Sequence, residues 1–193
     1  MVIKNDSPKV FYDTSYVSNN TTYTGRIGMG VSKRTVAYLE SILHPFSVTE
    51  HIDRELVQFR GMLIRDKYLS GKNVSRSARK YNRVVSQSLD LVDELFSQKT
   101  VVPNPCGEVY NYFRGRHLDG VSDADCSMVT AAVHSAMERD TVVFTRDYDF
   151  VRLTRCIDSR NSPLRSVPLH LAVVADLEKT VLLGYGRYRG AQI

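Results

Sequence analysis

The chain opens its patterned part with Lys9-Val-Phe-Tyr-Asp13, three consecutive apolar or aromatic residues that end in a carboxylate. A run without alternation suits a short strand covered on both faces, as in parallel α/β sheets. Residues 18–31 are polar and contain Gly25, Gly28 and Gly30, the composition of a loop. From Ser32, Val36, Leu39 and Leu43 recur at helical spacing until His44-Pro45, where the residue before proline leaves the helical region. Phe46 to Val48 predicts a second strand. Thr49 then stands as N-cap of a helix with Ile52, Leu56, Phe59 and Leu63 on one face, ending near Gly71. Val74, Ala78, Tyr81, Val85, Leu89, Val92 and Phe96 trace the stripe of another long helix. The segment Val101-Val-Pro-Asn-Pro-Cys-Gly107 reads as strand then turn, whereas 110–120 is aromatic and basic with no clear period. Ser122-Asp-Ala-Asp125 opens a helix that buries Met128, Val129, Ala132, Val133 and Ala136, and Thr141 to Thr145 is a further apolar strand just before Asp147. Val167 to Val174 and Thr180 to Gly184 close the chain as two strands, paired at an edge through a turn near Asp176. Strands alternating with helices predict an α/β, three-layer sandwich: a mainly parallel central sheet flanked by helices.

Length and composition fit one domain over residues 1–193, at 42% hydrophobic and 24% charged residues. No apolar run reaches the ~18 residues of a membrane span, since the best stretch, Val167 to Tyr185, holds His170, Asp176, Glu178 and Lys179. The first residues lack the pattern of a signal peptide. Three cysteines, Cys106, Cys126 and Cys156, include no C-x-x-C pair, which argues against a disulfide framework or a cysteine zinc site. A cytoplasmic, intracellular setting is the expectation. The five histidines show no metal-ligand spacing either.

Charge changes the picture more than composition does. Net charge is +5, but Arg60, Arg65, Lys67, Lys72, Arg76, Arg79, Lys80 and Arg83 face only Asp66 within that stretch, a local +7. Basic residues concentrated on two helices form a helical insertion over about 57–100, which is either a solvated helical face, the commoner meaning of a charge run, or a surface suited to neutralising a phosphate backbone. Tyr110, Tyr112 and Phe113, interleaved with Arg114 and Arg116, have the composition of a base-stacking, phosphate-holding surface, or of aromatics turned to the core.

The acids suggest the chemistry. Ligands of open α/β sheets sit beyond the carboxyl ends of the strands, where Asp13 and Asp147 fall; Asp125 opens the helix before the Asp147 strand, and Glu55 lies early on the helix after the second strand. Converging carboxylates repel one another unless cations join them. All-oxygen ligands favour Mg²⁺ or Mn²⁺, and with a phosphate substrate the natural reaction is phosphodiester hydrolysis.

Val10-Phe-Tyr-Asp13-Thr-Ser15, Ser122-Asp-Ala-Asp125 before an alanine-containing helix, and Val142-Val-Phe-Thr145-Arg-Asp147-Tyr-Asp-Phe150 together resemble the signature segments of PIN-domain nucleases. The resemblance implies that Asp13, Glu55, Asp125 and Asp147 are catalytic and hold Mg²⁺ or Mn²⁺, with Ser15 or Thr145 as a supporting hydroxyl. As a departure from the family pattern, Asp149 is an extra acid that replaces or supplements Asp147 at the metal. Glu50 and Glu40 stand as alternatives to Glu55, and Asp123 is a further acid beside Asp125. It also implies an endonuclease acting on RNA in preference to DNA and leaving a 5′-phosphate and a 3′-hydroxyl. Arg60, Arg65, Lys67, Lys72, Arg76, Arg79, Lys80, Arg83, Arg114 and Arg116 would bind the nucleic acid. A homodimer and a protein inhibitor or antitoxin are the protein partners that the family suggests. Two other readings compete: a toxin ribonuclease of a toxin–antitoxin pair, for which this basic insertion is long, and a non-catalytic PIN-like nucleic-acid-binding or assembly module. A haloacid-dehalogenase-type phosphoaspartate site would need an acid at position 15, where Ser15 stands.

Overall fold

The computed structural model describes residues 7–18, 37, 39–42, 44–72, 75–176 and 180–189. Six strands form one sheet: β1 (Lys9–Tyr12), β2 (Phe46–Thr49), β3 (Lys99–Val102), β4 (Thr141–Thr145), β5 (Leu171–Asp176) and β6 (Thr180–Gly184). Their order is β3-β2-β1-β4-β5-β6, parallel throughout except for the antiparallel β6 at the edge. The molecule is thus α/β with a mostly parallel six-stranded sheet flanked by helices. The helices are α1 (Thr14–Ser18), α2 (Glu50–Gly71), α3 (Arg76–Gln98), α4 (Glu108–Arg114), α5 (Asp123–Glu138) and α6 (Tyr148–Arg155). The predicted edge hairpin of the last two strands is present.

Strand order reverses between β1 and β4. The chain proceeds from β1 to β2 and β3 on one side, then returns to β4 and continues to β5 on the other. Because parallel crossovers are right-handed, this reversal puts helices on both faces and opens a crevice beyond the carboxyl ends of β1 and β4. The register Tyr12↔Phe144 brings these two ends level. Asp13 N–H extends the pairing to the carbonyl of Phe144 (3.0 Å).

The core explains why the elements form. Phe11, Val48, Val143, Leu171 and Val173 are buried in the sheet, against Ile52, Leu56, Val85 and Val92 of the helical hairpin and Met128, Val129, Ala132 and Val133 of α5. α5 fits tightly because alanines allow close approach along a helix that touches β2, β4 and β5. Each buried leucine, isoleucine or valine contributes on the order of 1.5–3 kcal/mol relative to exposure.

The basic insertion is a two-helix hairpin, α2 and α3, bridging β2 to β3. Asp53 pairs with Lys99 at its base, Arg60 with Asp93 (2.5 Å) further along, and the Tyr81 hydroxyl reaches Asp66 (3.4 Å) towards its far end. Beyond Leu63 on α2 and Val84 on α3 no described residue is buried. Seven of the eight basic residues, Arg65, Lys67, Lys72, Arg76, Arg79, Lys80 and Arg83, stand exposed on this outer part. At ~1.5 Å per residue, the tip starts about 14 Å along α2 from Glu55 and ends about 24 Å from it.

Some sequence expectations are corrected. Thr49 is the last residue of β2, and its buried hydroxyl makes no hydrogen bond, so it does not cap α2. The first turn of α2 is capped from a distance: His51 N–H donates to Asn104 Oδ1 (3.1 Å), while Asn104 Nδ2 donates to Glu50 Oε2 (3.0 Å). The strand expected from Val167 begins at Leu171. Pro168 has no N–H for a ladder, and His170 N–H is given to the carbonyl of Ala136 (2.9 Å). The unassigned 110–120 stretch contains most of α4, held after Arg114 by a turn at Gly115. Of the loop expected over 18–31, Ser18 closes α1 and the rest lies outside the described residues, as do Val36 and Leu43 of the next helix; Leu39 and Ile42 of that helix are buried.

Candidate active site

Asp13 is set at the centre of the crevice. It follows β1 directly, its backbone carbonyl accepts from Tyr16 N–H (3.0 Å) as α1 begins, and its side chain is only 3% exposed. Two hydroxyls orient it. Thr145 Oγ1 donates to Asp13 Oδ2 (2.8 Å), Ser15 Oγ donates to the same oxygen, and both donors leave Oδ1 aside. These hydroxyls are themselves fixed by the loop after β4: Arg146 N–H donates to Ser15 Oγ (3.0 Å) and Asp147 N–H to Thr145 Oγ1 (3.0 Å). Ser15 and Thr145 thus hold the Asp13 carboxylate between β1 and the loop after β4.

Asp125 is held as part of a helix cap. Ser122 N–H and Oγ donate to its Oδ2 (2.7 and 2.8 Å), and its own N–H returns to Ser122 Oγ (3.2 Å), a complete capping box. Asp147 caps α6 in turn, its Oδ1 accepting from Asp149 N–H (2.7 Å). Glu55 is reached from the other side of the sheet's end: Thr14 Oγ1 donates to its Oε2 (2.6 Å). This bond distinguishes Glu55 from its rivals, because Glu50 is committed to Asn104 and Glu40 is exposed.

Electrostatics ties the four acids together. Burial pushes the Asp13 carboxyl up to about 6, opposed by the Ser15 and Thr145 hydroxyls and reinforced by the charges of Asp125 and Asp147. Asp125 is also raised, first by burial and then by Asp147 and Glu55, while its bonds to Ser122 act in the opposite direction. Among the described residues, none of Asp13, Glu55, Asp125 and Asp147 is joined to a basic side chain by an ion pair. Such a set offers only oxygen donors and, among the described residues, no ion-paired cation, which is the donor chemistry a hard divalent cation prefers. The acids are gathered around the crevice, although among the described residues no three His, Cys, Asp or Glu side chains already close round one ion-sized point.

The remaining expected site residues lie elsewhere. Asp149 points to the turn between α4 and α5, where its Oδ1 accepts from Arg152 (3.0 Å) and its carboxylate lies against Gly120. Tyr112 and Phe113 are not open stacking platforms: Phe113 is buried, and the Tyr112 hydroxyl meets the Cys156 carbonyl (2.7 Å) under the Arg116 guanidinium (4.2 Å from the ring). Arg116 is thus occupied, with a further bond to Ser159 Oγ (3.1 Å). Arg114 pairs with Asp123 (3.2 Å), and Arg60 is turned across the hairpin to Asp93.

Two positioning residues escape a sequence reading. Thr14 holds Glu55, and Asn104 joins the start of α2 to α5 by also accepting from Ser127 Oγ (3.0 Å). His51 completes this junction, its Nδ1 lying 3.3 Å from the Asp123 carbonyl. Thr14 carried a visible signal as part of the Asp-Thr-Ser segment, whereas Asn104 between two prolines looks only like a turn. No protein-family model, no curated protein and no solved structure matches this chain.

Proposed function

We propose that the chain is a metal-dependent nuclease of PIN-like type, hydrolysing phosphodiester bonds in RNA. The observation that carries this reading is the convergence of Asp13, Glu55, Asp125 and Asp147 at the strand-order reversal, with Asp13 buried and its charge opposed by its neighbours. Their order along the elements supports the PIN-like assignment. One acid ends the first strand, one lies on an early helix, one opens the helix before the fourth strand, and one follows that strand.

Asp13, Glu55, Asp125 and Asp147 would hold Mg²⁺ or Mn²⁺, which supplies an activated water and charge stabilisation at the leaving oxygen when bound. Thr145 and Ser15 keep Asp13 in one rotamer by donating to a single oxygen, and Thr14 does the same for Glu55. Such fixed ligands need little reorganisation when charge develops. Ser122 holds Asp125 by the helix cap, so the first turn of α5 sets that carboxylate's place. The exposed hairpin tip supplies the phosphate contacts, on a substrate long enough to span its distance from Glu55.

The deciding assay is cleavage of end-labelled single-stranded RNA, hairpin RNA and flapped DNA with Mn²⁺, Mg²⁺ or EDTA, with Asp13→Asn in parallel. The expected result is metal-dependent RNA cleavage, reduced at least a thousandfold in the variant, with folding retained. Full activity of the variant would overturn the assignment, and binding without cleavage on every substrate would favour a non-catalytic module.

A further inference from the structure

A pocket of about 350 Å³ lies beside the carboxylate cluster, between α4 and the start of α5. Its apolar lining is Phe113, Leu118, Val121 and Cys126, and its polar rim includes Arg114, His117 and Asp123. The volume is at the low end of small-molecule sites, suited to a single ring system with part of its attached sugar.

The turn that walls the pocket is preformed. Arg116 is stapled to Tyr112 and Ser159, Arg152 donates to the Asp119 carbonyl (3.2 Å), and Val121 N–H closes onto the Leu118 carbonyl (3.2 Å). His117 holds a left-handed backbone at φ 48°, a conformation uncommon for a residue other than glycine. Gly120, at φ 88°, brings the turn so close to the Asp149 carboxylate that any Cβ there would collide with it. Asp149 therefore links the pocket wall to the loop that carries Asp147.

The rim has a definite polarity. Arg114 Nε and Asp123 Oδ1 make the ion pair at 3.2 Å, and both side chains remain more than half exposed at 61% and 55%. The contact uses Arg114 Nε and one lone pair of Asp123 Oδ1, so the terminal guanidinium N–H groups remain as donors and both carboxylate oxygens keep acceptor capacity, on two residues that line the pocket. A carboxylate accepts two parallel N–H donors, and arginine donates to a carbonyl. Guanine is the base whose pairing edge offers N1–H and N2–H side by side, next to the O6 acceptor. Adenine, cytosine and uracil each place an acceptor where the carboxylate needs a donor. The ring would lie between Leu118 and Val121 on one side and the α4 wall on the other.

We infer that this pocket binds a guanine base, with Asp123 accepting from its N1–H and N2–H edge and Arg114 donating to O6. The inference rests on the proposed function for the source of the base: a guanosine near the bond held at the carboxylate cluster. Binding itself needs neither metal nor cleavage, so the two readings fail separately.

The test is a titration of the full chain in EDTA with guanosine, inosine, adenosine, cytidine and uridine, followed by backbone amide shifts at His117, Gly120 and Val121. Uncharged nucleosides avoid repulsion by the neighbouring acids. Guanosine should bind at least tenfold more tightly than adenosine, cytidine or uridine, with inosine between, because it lacks the N2 amine. Asp123→Asn should remove the preference, since an amide meets the N–H edge with one acceptor instead of two; Arg114→Gln should weaken guanosine at least fivefold. Asp13→Asn should leave guanosine binding unchanged. A second arm compares a nine-residue oligoadenylate with the same strand carrying one central guanosine, and tighter binding of the latter places the base in a strand. Equal binding of all five nucleosides, no shifts at the three amides, or a guanosine preference retained in Asp123→Asn would overturn the inference. A chain that binds guanosine and cleaves nothing would refute the nuclease assignment alone.

Discussion

Asp13 is held in a position that costs the fold stability. Its carboxyl is neutral in both folded and unfolded chains only well below pH 4, at about pH 2–3, so burial imposes no charge penalty there. As pH rises from the unfolded value towards about 6, the unfolded chain ionises first, and stability falls until the folded carboxyl has ionised too. The penalty above that range is at most about 2–3 kcal/mol, the free-energy equivalent of raising the carboxyl from its ordinary value to about 6 by burial. In EDTA, the melting temperature of the wild type should therefore fall between pH 4.5 and 7 by more than that of Asp13→Asn, which keeps an acceptor for Thr145 without the charge. Mn²⁺ at pH 7 should raise the wild-type melting temperature and leave the variant's nearly unmoved. Identical pH profiles for the two proteins would show that Asp13 is ionised without cost. The residue scale was also where sequence was most informative: Asp13, Asp125 and Asp147 sit at element ends that periodicity marks. Glu55 lacked such a marker, because the Thr14 bond that selects it spans 41 residues.

At the scale of elements, the site depends on how two helix starts meet. α2 brings Glu55 and α5 brings Asp125, and Asn104 is the side chain that bonds to both, through His51 N–H and Ser127 Oγ. Removing a helix cap costs about 0.5–2 kcal/mol. Asn104→Ala should cost about that in urea unfolding and should also lower cleavage several-fold, because the two helix starts lose their common tie; unchanged cleavage with the expected destabilisation would confine Asn104 to capping. Sequence could not assign this role, since a cap supplied from the loop after β3 has no local pattern at Thr49. The same holds for β5: its apolar run reads from Val167, but the competing bond from His170 N–H to Ala136 delays the strand to Leu171. Long amphipathic stripes were legible throughout, as α2, α3 and α5 show.

For the whole molecule, charge and chemistry occupy different places. The carboxylates lie at the end of the sheet, while seven basic side chains stand on the hairpin tip, about 14–24 Å along α2 from Glu55. A substrate that reaches both must be several nucleotides long, and very short strands should be bound and cut poorly. Each phosphate contact on a single strand contributes about 0.7 to the slope of log affinity against log salt. Replacing Arg76, Arg79, Lys80 and Arg83 by Gln should flatten that slope by about 2–3 and weaken RNA binding at low salt, while cleavage at saturating RNA stays near wild type. An unchanged slope would remove the tip from the binding surface. Sequence located this cluster by counting charge, but not its separation from the acids, which follows from helix length and from where burial stops.

That no described residue of the tip is buried beyond Leu63 and Val84 has a kinetic consequence. Its outer turns are held by local helix bonds and by surface contacts such as Asp66 with Tyr81, so they can open without disturbing the sheet. Backbone amides there should exchange with solvent deuterium far faster than those of β1, β4 and α5, which open only with the whole fold. On the proposed function, a long strand would be caught by a region that opens and recloses, while the acids at the end of the sheet keep their spacing.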